Sequence, residues 1–350
     1  MSARELAEAG LRVVLLERQA IGRESSWAGG GILSPLYPWR APEPVTALCR
    51  WSQAAYPQLA EALKEHSGTD PEWLPSGLLF IDCDEPEEAM RWADTHAARF
   101  ERLTVGEMAR LEPGIPAGGC RDPLLLPDIG QVRNPRLLRA LRRDLELRGV
   151  ELREHHPVDE IKLEQGKAVG VTCRQETLSA DAYVVTAGAW SGLLAGNSGL
   201  AGLPVGPVKG EMLVFDAPPG LLGHIALRQG RYLIPRKDGK ILAGSTVESA
   251  SFDKSASAMA CEALRAFACG LLPALRHSRI EKHWAGLRPG SPEGIPSIGA
   301  HPEAANLYFN GGHYRNGLVT APASARLLAD LLLGRTPIID PEPYRLDCKN

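Results

Sequence analysis

The spacing of hydrophobic and polar residues changes several times along the chain, and each change predicts an element. Residues 2–9 favour a short helix, and Gly10 is placed to end it. The apolar run from Leu11 to Leu16, closed by Glu17, predicts a fully buried strand. A helix, a short turn and an apolar strand with a terminal acid are typical of the second half of a βαβ nucleotide-binding unit.

The rest of the chain mixes both patterns without a repeat or a linker. Apolar residues at helical spacing predict helices around residues 51–63, 85–111, 135–148, 255–270 and 317–333. Alternating or apolar runs predict strands at 77–82, 149–152 and 280–287, a three-stranded meander near 158–164, 167–173 and 182–187, and antiparallel strands within 207–247. The mixture favours two interleaved domains over two successive ones.

Composition and charge narrow the class of protein. The 350 residues are 44% hydrophobic and 23% charged, as in an ordinary folded globule, and the net charge of −3 argues against binding nucleic acid by bulk electrostatics. No apolar run is long enough for a membrane span, and charged residues interrupt the first 25 positions, so we expect a cytoplasmic protein. The seven cysteines, Cys348 among them, form no C-x-x-C pair and the histidines form no H-x-x-x-H pattern, so no metal site is predicted.

Two segments near the start have the residue types that bind nucleotides. Glu17 can accept hydrogen bonds from a ribose hydroxyl, although a solvated carboxylate explains it as well. The loop that follows contains Ser25, Ser26 and three consecutive glycines, 29–31, which allow close approach to a ligand and supply amide donors. A flexible surface loop is the alternative interpretation.

Three later segments are candidates for ligand contact. Small residues after the strand at 184–191 permit close packing against a nucleotide, or form a plain tight turn. Arg288 is a single cation in an apolar, turn-rich segment, where a guanidinium can bind a small carboxylate through two hydrogen bonds. The glycine-rich turn 311–317 precedes a helix whose free amides can stabilise an anion.

Seven motifs in this order resemble the glycine oxidase family of thiazole biosynthesis, within the D-amino-acid-oxidase-like flavoenzymes. The motifs are L-R-V-V-L-L-E-R (11–18), S-S-W-A-G-G-G-I-L (25–33), V-V-T-A-G-A-W-S (184–191), P-V-K-G-E-M-L (207–213), R-Y-L-I-P-R-K-D-G (231–239), W-A-G-L-R-P-G (284–290) and G-G-H-Y-R-N-G (311–317). The similarity runs from residue 1 to about 345.

The resemblance implies an α/β fold with an α+β substrate part. A Rossmann-like domain that binds FAD non-covalently would comprise residues 1–37, 128–206 and 280–350, and an interleaved antiparallel-sheet substrate domain would comprise 38–127 and 207–279. It implies oxidation of glycine, and of small amines such as sarcosine or D-alanine, by dioxygen to glyoxylate, ammonia and hydrogen peroxide. The imine would supply thiazole synthesis, no side-chain base would be required, and a homotetramer is the implied assembly.

The resemblance also assigns residues to the site. The substrate carboxylate would be bound by Arg288 and Tyr232, with Arg315 close to the substrate. Contacts to FAD are implied for Glu17, Arg18, Ser25, Ser26, Gly30, Gly31, Ile32, Val158, Gly188, His313, Tyr314, Arg315, Asn316, Gly317, Leu318 and Val319.

One departure from the family's pattern is clear. The family begins with a strand and a G-x-G-x-x-G loop, and this sequence contains neither. We therefore expect an N-terminally truncated chain, with a native protein longer by roughly 15 residues, a strand plus a turn. If the chain is complete as given, weak FAD retention is expected. The alternatives are a D-amino-acid or sarcosine-type oxidase or dehydrogenase, and an inactive remnant that lacks the phosphate loop.

Overall fold

Helices and strands alternate along the computed structural model, which describes residues 1–200, 203, 205–249 and 251–346. Cys348 lies outside these residues. The α-helices are α1 (Ser2–Glu8), α2 (Ser25–Ala28), α3 (Glu43–Ser67), α4 (Pro86–Thr95), α5 (Val105–Leu111), α6 (Asn134–Leu147), α7 (Ser191–Asn197), α8 (Ala258–Leu271) and α9 (Gly317–Leu332). In the described part of the chain, no helix is long and apolar enough to cross a membrane.

The strands fall into one large antiparallel-rich sheet and several small ones. They are β1 (Val14–Leu16), β2 (Leu78–Phe80), β3 (Glu101–Arg102), β4 (Leu124–Leu126), β5 (Glu151–Arg153), β6 (Glu160–Glu164), β7 (Lys167–Cys173), β8 (Glu176–Leu178), β9 (Tyr183–Val185), β10 (Gly206–Asp216), β11 (Ile225–Arg228), β12 (Arg231–Pro235), β13 (Ile241–Gly244), β14 (Glu248–Ser249), β15 (Arg279–Gly290), β16 (Ser297–His301) and β17 (Ala304–Gly311). The large sheet has the order β14-β10-β13-β12-β11-β2-β4-β3, and β15 runs along β10.

Parallel pairing is confined to short stretches. β1 pairs with β5, β9 pairs with β17, and β2 pairs with β11, each in parallel register. β6, β7 and β8 form an antiparallel meander. The α/β fold class is confirmed, whereas the division into a cofactor part and a substrate part stays a prediction. The strand β15, which that division places in the cofactor part, is hydrogen-bonded within the large sheet.

Three element predictions are wrong in detail. The first strand is shorter than Leu11–Leu16 and is not buried: Leu11 is 41% and Val14 43% exposed, because among the described residues β1 has a neighbour on one side only. The third meander strand is β8, since 183–185 leaves the meander to pair with β17. The helix expected over 85–111 is interrupted by β3, which pairs with β4.

The last helix is positioned by its contacts with α3. Its prediction from apolar spacing is confirmed, although Pro322 lies inside the helix beyond its first turn. A proline lacks the amide that would bond the carbonyl four residues earlier. That carbonyl, Leu318 O, instead accepts a hydrogen bond of 2.5 Å from the hydroxyl of Tyr56. Ser52 Oγ accepts from the amide of Ala323, so α3 fixes the start of α9.

A buried carboxylate joins three helices. Asp144 of α6 is fully buried and accepts from Arg148 Nε at 2.8 Å, lies 2.7 Å from His66 Nδ1 of α3, and lies 3.3 Å from Arg4 Nε of α1. Burial raises the pKa of Asp144, but the hydrogen bonds from Arg148 and His66 outweigh it, and the pKa is lowered. Asp144 therefore stabilises the fold while it is ionised.

We expect Asp144→Asn to lower the free energy of unfolding by about 3 kcal/mol, because its cationic partners lose their anion. The exposed pair of Glu61 and Lys64 provides the control. Glu61→Gln should change stability by less than about 0.5 kcal/mol. Urea unfolding at neutral pH measures both, and equal losses in the two variants would contradict the expectation.

Candidate functional site

Two predicted substrate ligands lie on one face of the large sheet. In antiparallel register, Val208 of β10 is opposite Arg288, and Met212 is opposite Gly244, which is in turn opposite Tyr232. Partners across strands project to the same face, and so do alternate residues along a strand. Arg288 and Tyr232 therefore share a face, as a site that binds one small molecule requires.

Glycines make room for both side chains. A Cβ at Gly210 would overlap the guanidinium of Arg288, and one at Gly244 would lie 2.8 Å from the ring of Tyr232. The arginine and the tyrosine thus lie flat over the backbone of neighbouring strands. This placement explains why the P-V-K-G-E-M-L motif has a glycine at its centre.

Arg288 is held by neutral acceptors. Its Nη1 donates to the carbonyls of Lys209 and Thr246, both at 3.2 Å, and its Nη2 donates to Ser245 Oγ at 2.9 Å. Within the described residues, no carboxylate lies within the 4.0 Å of a salt bridge. Burial lowers the pKa of Arg288. An oriented, partly desolvated guanidinium without an anion is suited to bind a carboxylate.

The glycine loop packs against the same face. A Cβ at Gly30 would lie 2.8 Å from Ile234 Cδ1, 3.3 Å from the ring of Tyr232 and 3.4 Å from the methyl of Met212. The preceding helix α2 is fixed to β15, since Trp284 Nε1 donates to the carbonyl of Ala28 at 3.1 Å. The structure therefore brings the predicted cofactor loop to one predicted substrate ligand, Tyr232, on the face that Arg288 shares.

Two buried polar atoms beside this loop have no hydrogen-bond partner among the described residues. They are Asn134 Oδ1 and Arg236 Nε. Asn134 Nδ2 donates to the carbonyl of Ser26 at 2.8 Å, and Arg236 Nη2 donates to the carbonyl of Gly30 at 2.7 Å. Buried polar groups are nearly always bonded. Unpaired atoms beside a loop with no room for side chains fit a polar cofactor.

The glycine-rich turn before α9 is fixed to β15. Tyr314 N donates to the carbonyl of Pro289 at 2.8 Å, and Ser291 Oγ donates to the carbonyl of Gly312 at 2.5 Å. The residue before the helix, Asn316, provides no side-chain cap. The first amides of α9 are thus left for another acceptor, and a helix N-terminus favours a negative one.

His313 connects the turn to the helix. Its Nε2 lies 2.9 Å from Asn310 Oδ1, which places the ring proton there, and its Nδ1 lies 3.1 Å from Thr320 Oγ1. Thr320 Oγ1 donates to the carbonyl of Asn316 at 2.9 Å. Burial lowers the pKa of His313 to about 4, so the ring is neutral at physiological pH. His313 is therefore a hydrogen-bonding element of the turn and not a cation.

The pKa of His313 predicts acid sensitivity. Between its usual value of 6.5 and about 4, the unfolded chain binds a proton that the folded chain does not. The contribution of this group to stability is therefore complete above pH 6.5 and falls by roughly 3 kcal/mol as the pH drops towards 4. Unfolding by urea at pH 7 and pH 4.5 measures this loss. We expect His313→Gln to reduce it, and an identical pH dependence in the variant would contradict the assignment.

The acid at the end of β1 and its neighbour have different surroundings. Glu17 Oε1 accepts from the amide of Gln19 at 2.9 Å, which leaves acceptor capacity for a ribose. Arg18 stacks on Trp190, with 3.5 Å from its guanidinium carbon to the ring centroid, and pairs with Glu24 at 2.8 Å. Gly188 begins the turn that carries Trp190. The two motifs at 11–18 and 184–191 thus meet in space.

The remaining predicted residues are less closely tied to the sheet face. Val158 lies in the segment before β6, partly exposed, and Arg315 is exposed. A cleft of about 540 Å³ opens beside the strand ends that carry Arg288; its lining includes Val208, Glu293 and Tyr314. Contact of these residues with cofactor or substrate stays a prediction.

Sequence reasoning missed several residues of this region. Asn134, Arg236 and Ser245 contact the predicted site, and Phe252 stacks on Trp190 with 5.4 Å between ring centroids. Arg236 lies within the motif R-Y-L-I-P-R-K-D-G, but a charged residue directly after an apolar strand is usually exposed, so the sequence carried no signal for its burial.

An arginine without an anionic partner among the described residues, a glycine loop and a helix start without a side-chain cap lie around one sheet face, and this arrangement suits a small acid beside a polar cofactor. Comparison with known proteins gives its family: residues 1–331 match the sequence profile described as DAO, FAD dependent oxidoreductase. The chain belongs to this family, whose cofactor is FAD.

Relatives are similar over almost the whole chain. A glycine oxidase of Pseudomonas aeruginosa is 49% identical over 345 residues, which cover 98% of this chain and 94% of the relative. A glycine oxidase of Pseudomonas putida is 48% identical over 348 residues, with coverages of 98% and 94%. The crystal structure of glycine oxidase from Geobacillus kaustophilus superposes with a TM-score of 0.92 at 30% identity, covering 99% of this chain and 94% of that one.

Proposed function

We propose that the protein is an FAD-dependent oxidase of glycine. Glycine, water and dioxygen give glyoxylate, ammonia and hydrogen peroxide, with sarcosine and D-alanine as further substrates. The single observation that supports this most is the partly buried guanidinium of Arg288, which has no anionic partner among the described residues and lies on the face shared with Tyr232 and Gly30. The similarity to glycine oxidases supports the choice of substrate.

Arg288 binds the substrate carboxylate and fixes the direction in which Cα points. Among the described residues the hydroxyl of Tyr232 has only a weak acceptor, Met212 Sδ at 4.0 Å, so it can turn to the carboxylate. Gly29–Gly31, the first turn of α9 and Glu17 would hold the cofactor. A bound FAD would supply two-electron redox chemistry between the amine and dioxygen. The proposed substrate ligands are arginines and a tyrosine, so the chain supplies orientation and charge, and no side-chain base is assigned.

The proposal has a direct test with the chain loaded with FAD. Under air, glycine should consume oxygen and release hydrogen peroxide and glyoxylate in equal amounts. Sarcosine and D-alanine are measured in parallel, because a marked preference for either favours the related oxidases. Reduction of an artificial acceptor without peroxide would favour a dehydrogenase. Failure of all three amines to bleach the bound flavin without oxygen would overturn the proposal.

Three further aspects of the function are proposals that follow from membership of the family. They are a cytoplasmic location, assembly as a homo-oligomer, the tetramer in particular, and supply of the imine to thiazole synthesis. Light scattering of the FAD-loaded protein measures the assembly, and a monomer at micromolar concentration would contradict it. Ser25, Ser26, Ile32 and the 313–319 segment remain proposed cofactor contacts.

A further inference from the structure

A fully buried arginine lies against the glycine loop, outside the residues so far assigned to the reaction. Arg236 follows β12 and is 7% exposed. Its Nη2 donates to the carbonyl of Gly30 at 2.7 Å, and its Nη1 donates to Gln131 Oε1 at 2.5 Å and to the carbonyl of Val132 at 3.0 Å. All three acceptors are neutral.

The charge of Arg236 is not balanced by a nearby anion. Within the described residues, no carboxylate oxygen lies within salt-bridge distance of it. The negative charges of Glu72 and Asp238 act on Arg236 from a greater distance. Both are already paired with Arg133, at 3.2 and 2.9 Å, and Glu72 is also paired with Arg136 at 3.1 Å. Burial, with the positive charge of Arg133, lowers the pKa of Arg236 to about 10, so it is still a cation at neutral pH.

One donor of this cation is left over. Arg236 Nε is buried without a hydrogen-bond partner among the described residues, and so is Asn134 Oδ1, which also lies beside Gly31. A Cβ at Gly31 would lie 3.2 Å from Arg236 Nη2 and 2.9 Å from Asn134 Oδ1, so both side chains contact the loop directly. Burying an ion without a counter-ion costs several kcal/mol. A side chain that only held the loop by hydrogen bonds would need no charge, because a neutral amide could donate the same bonds.

We propose that Arg236 is a positioning residue for the cofactor, whose charge makes the bound flavin easier to reduce. This rests on the proposed function only in that the chain binds FAD at the glycine loop. A fixed cation in a low-dielectric site stabilises the negative charge that a flavin gains on reduction. Protein charge near the flavin ring is a known determinant of its electronics. The guanidinium holds the carbonyls of Gly30 and Val132 in place, and its charge would act on the cofactor bound beside them.

Two substitutions separate the fork from the charge. Arg236→Lys keeps the charge and loses the fork, whereas Arg236→Gln keeps amide donors and loses the charge. We expect both variants to bind FAD at least tenfold more weakly. We expect the Gln variant alone to shift the ratio of affinities for reduced and oxidised FAD by about tenfold, which lowers the two-electron midpoint potential by about 30 mV.

The matched control is Arg228, a largely buried arginine of the adjacent strand β11. It donates to Asp82 at 2.6 Å and to the carbonyl of Gly119 at 2.7 Å, and none of its hydrogen bonds among the described residues involves the glycine loop. Arg228→Gln should leave the FAD dissociation constant and the midpoint potential unchanged. Unfolding midpoints of all variants show how much stability each loses.

Potentials are measured by dye-coupled reduction of the FAD-loaded protein without any amine, so the result does not depend on glycine being the substrate. Equal potentials in the Lys and Gln variants would overturn the proposal and leave Arg236 with a structural hydrogen-bonding role only. Failure of both to fold, with Arg228→Gln folded, would assign Arg236 to stability and overturn it as well. Inactivity of the wild-type protein on glycine, with the shift present, would reject the proposed function alone.

Discussion

Replacing Arg288 with alanine is expected to lower kcat/KM for glycine by about a thousandfold. Removing one partner of a buried charge pair costs about 2–5 kcal/mol, and each 1.4 kcal/mol is a factor of ten. In the proposed complex Arg288 is the cation of that pair, partly desolvated and oriented by Lys209 O, Thr246 O and Ser245 Oγ. Because the carboxylate is bound before and during oxidation, KM should rise, and kcat should fall as orientation is lost.

Arg288→Lys should recover only part of the loss, since an ammonium has no planar fork. FAD affinity should remain, because no contact of Arg288 involves the glycine loop. The control is Arg279→Ala on the same strand, where the side chain is 76% exposed and 3.9 Å from its nearest carboxylate, that of Asp216. Steady-state oxygen consumption gives both constants. Unchanged turnover of glycine by the Arg288→Ala protein would place the substrate elsewhere.

Elements whose signals are local could be predicted from the sequence. The strands β11, β12 and β13 are short apolar runs with connections of two and five residues between them, and α9 has apolar residues at helical spacing. Both predictions depend on neighbours within a few positions. Arg288 itself was found because a single cation stands in an apolar segment, and the structure places it with Tyr232.

The wrong element predictions lie where pairing with residues distant in the sequence decides the structure. The apolar run at 11–16 predicts a buried strand only if neighbours cover both edges, and β1 has β5 alone among the described residues. Residues 183–185 have the composition of a meander strand, yet they pair with β17, more than 100 positions away. Arg236 is the same case at a single residue, since two of its acceptors lie 104 and 206 positions away in the sequence.

The second large effect is expected from a substitution in the glycine loop, at Gly31. Its φ is +88°, a conformation that costs other residues about 1–2 kcal/mol. In addition, a Cβ there would overlap the carbonyl oxygen of Val132. Gly31→Ala must therefore move the backbone and weaken the bond from Val132 N to Gly31 O, now 2.9 Å. We expect a loss of more than about 3 kcal/mol in stability and FAD binding weaker by at least a hundredfold.

Gly68→Ala is the control variant. It adds a Cβ at a positive φ outside the glycine loop, so it measures the cost of the backbone conformation alone. Gly68 ends α3 with a φ of +70°, and no atom lies within 4 Å of a Cβ built there. This variant should lose only about 1 kcal/mol and keep its FAD affinity. Thermal unfolding and titration of the apoprotein with FAD measure both quantities. Equal stability losses in the two variants, or full FAD affinity in Gly31→Ala, would contradict the expectation. Either result would mean that the loop accommodates the added Cβ, and that the close packing around Gly31 does not shape the cofactor site.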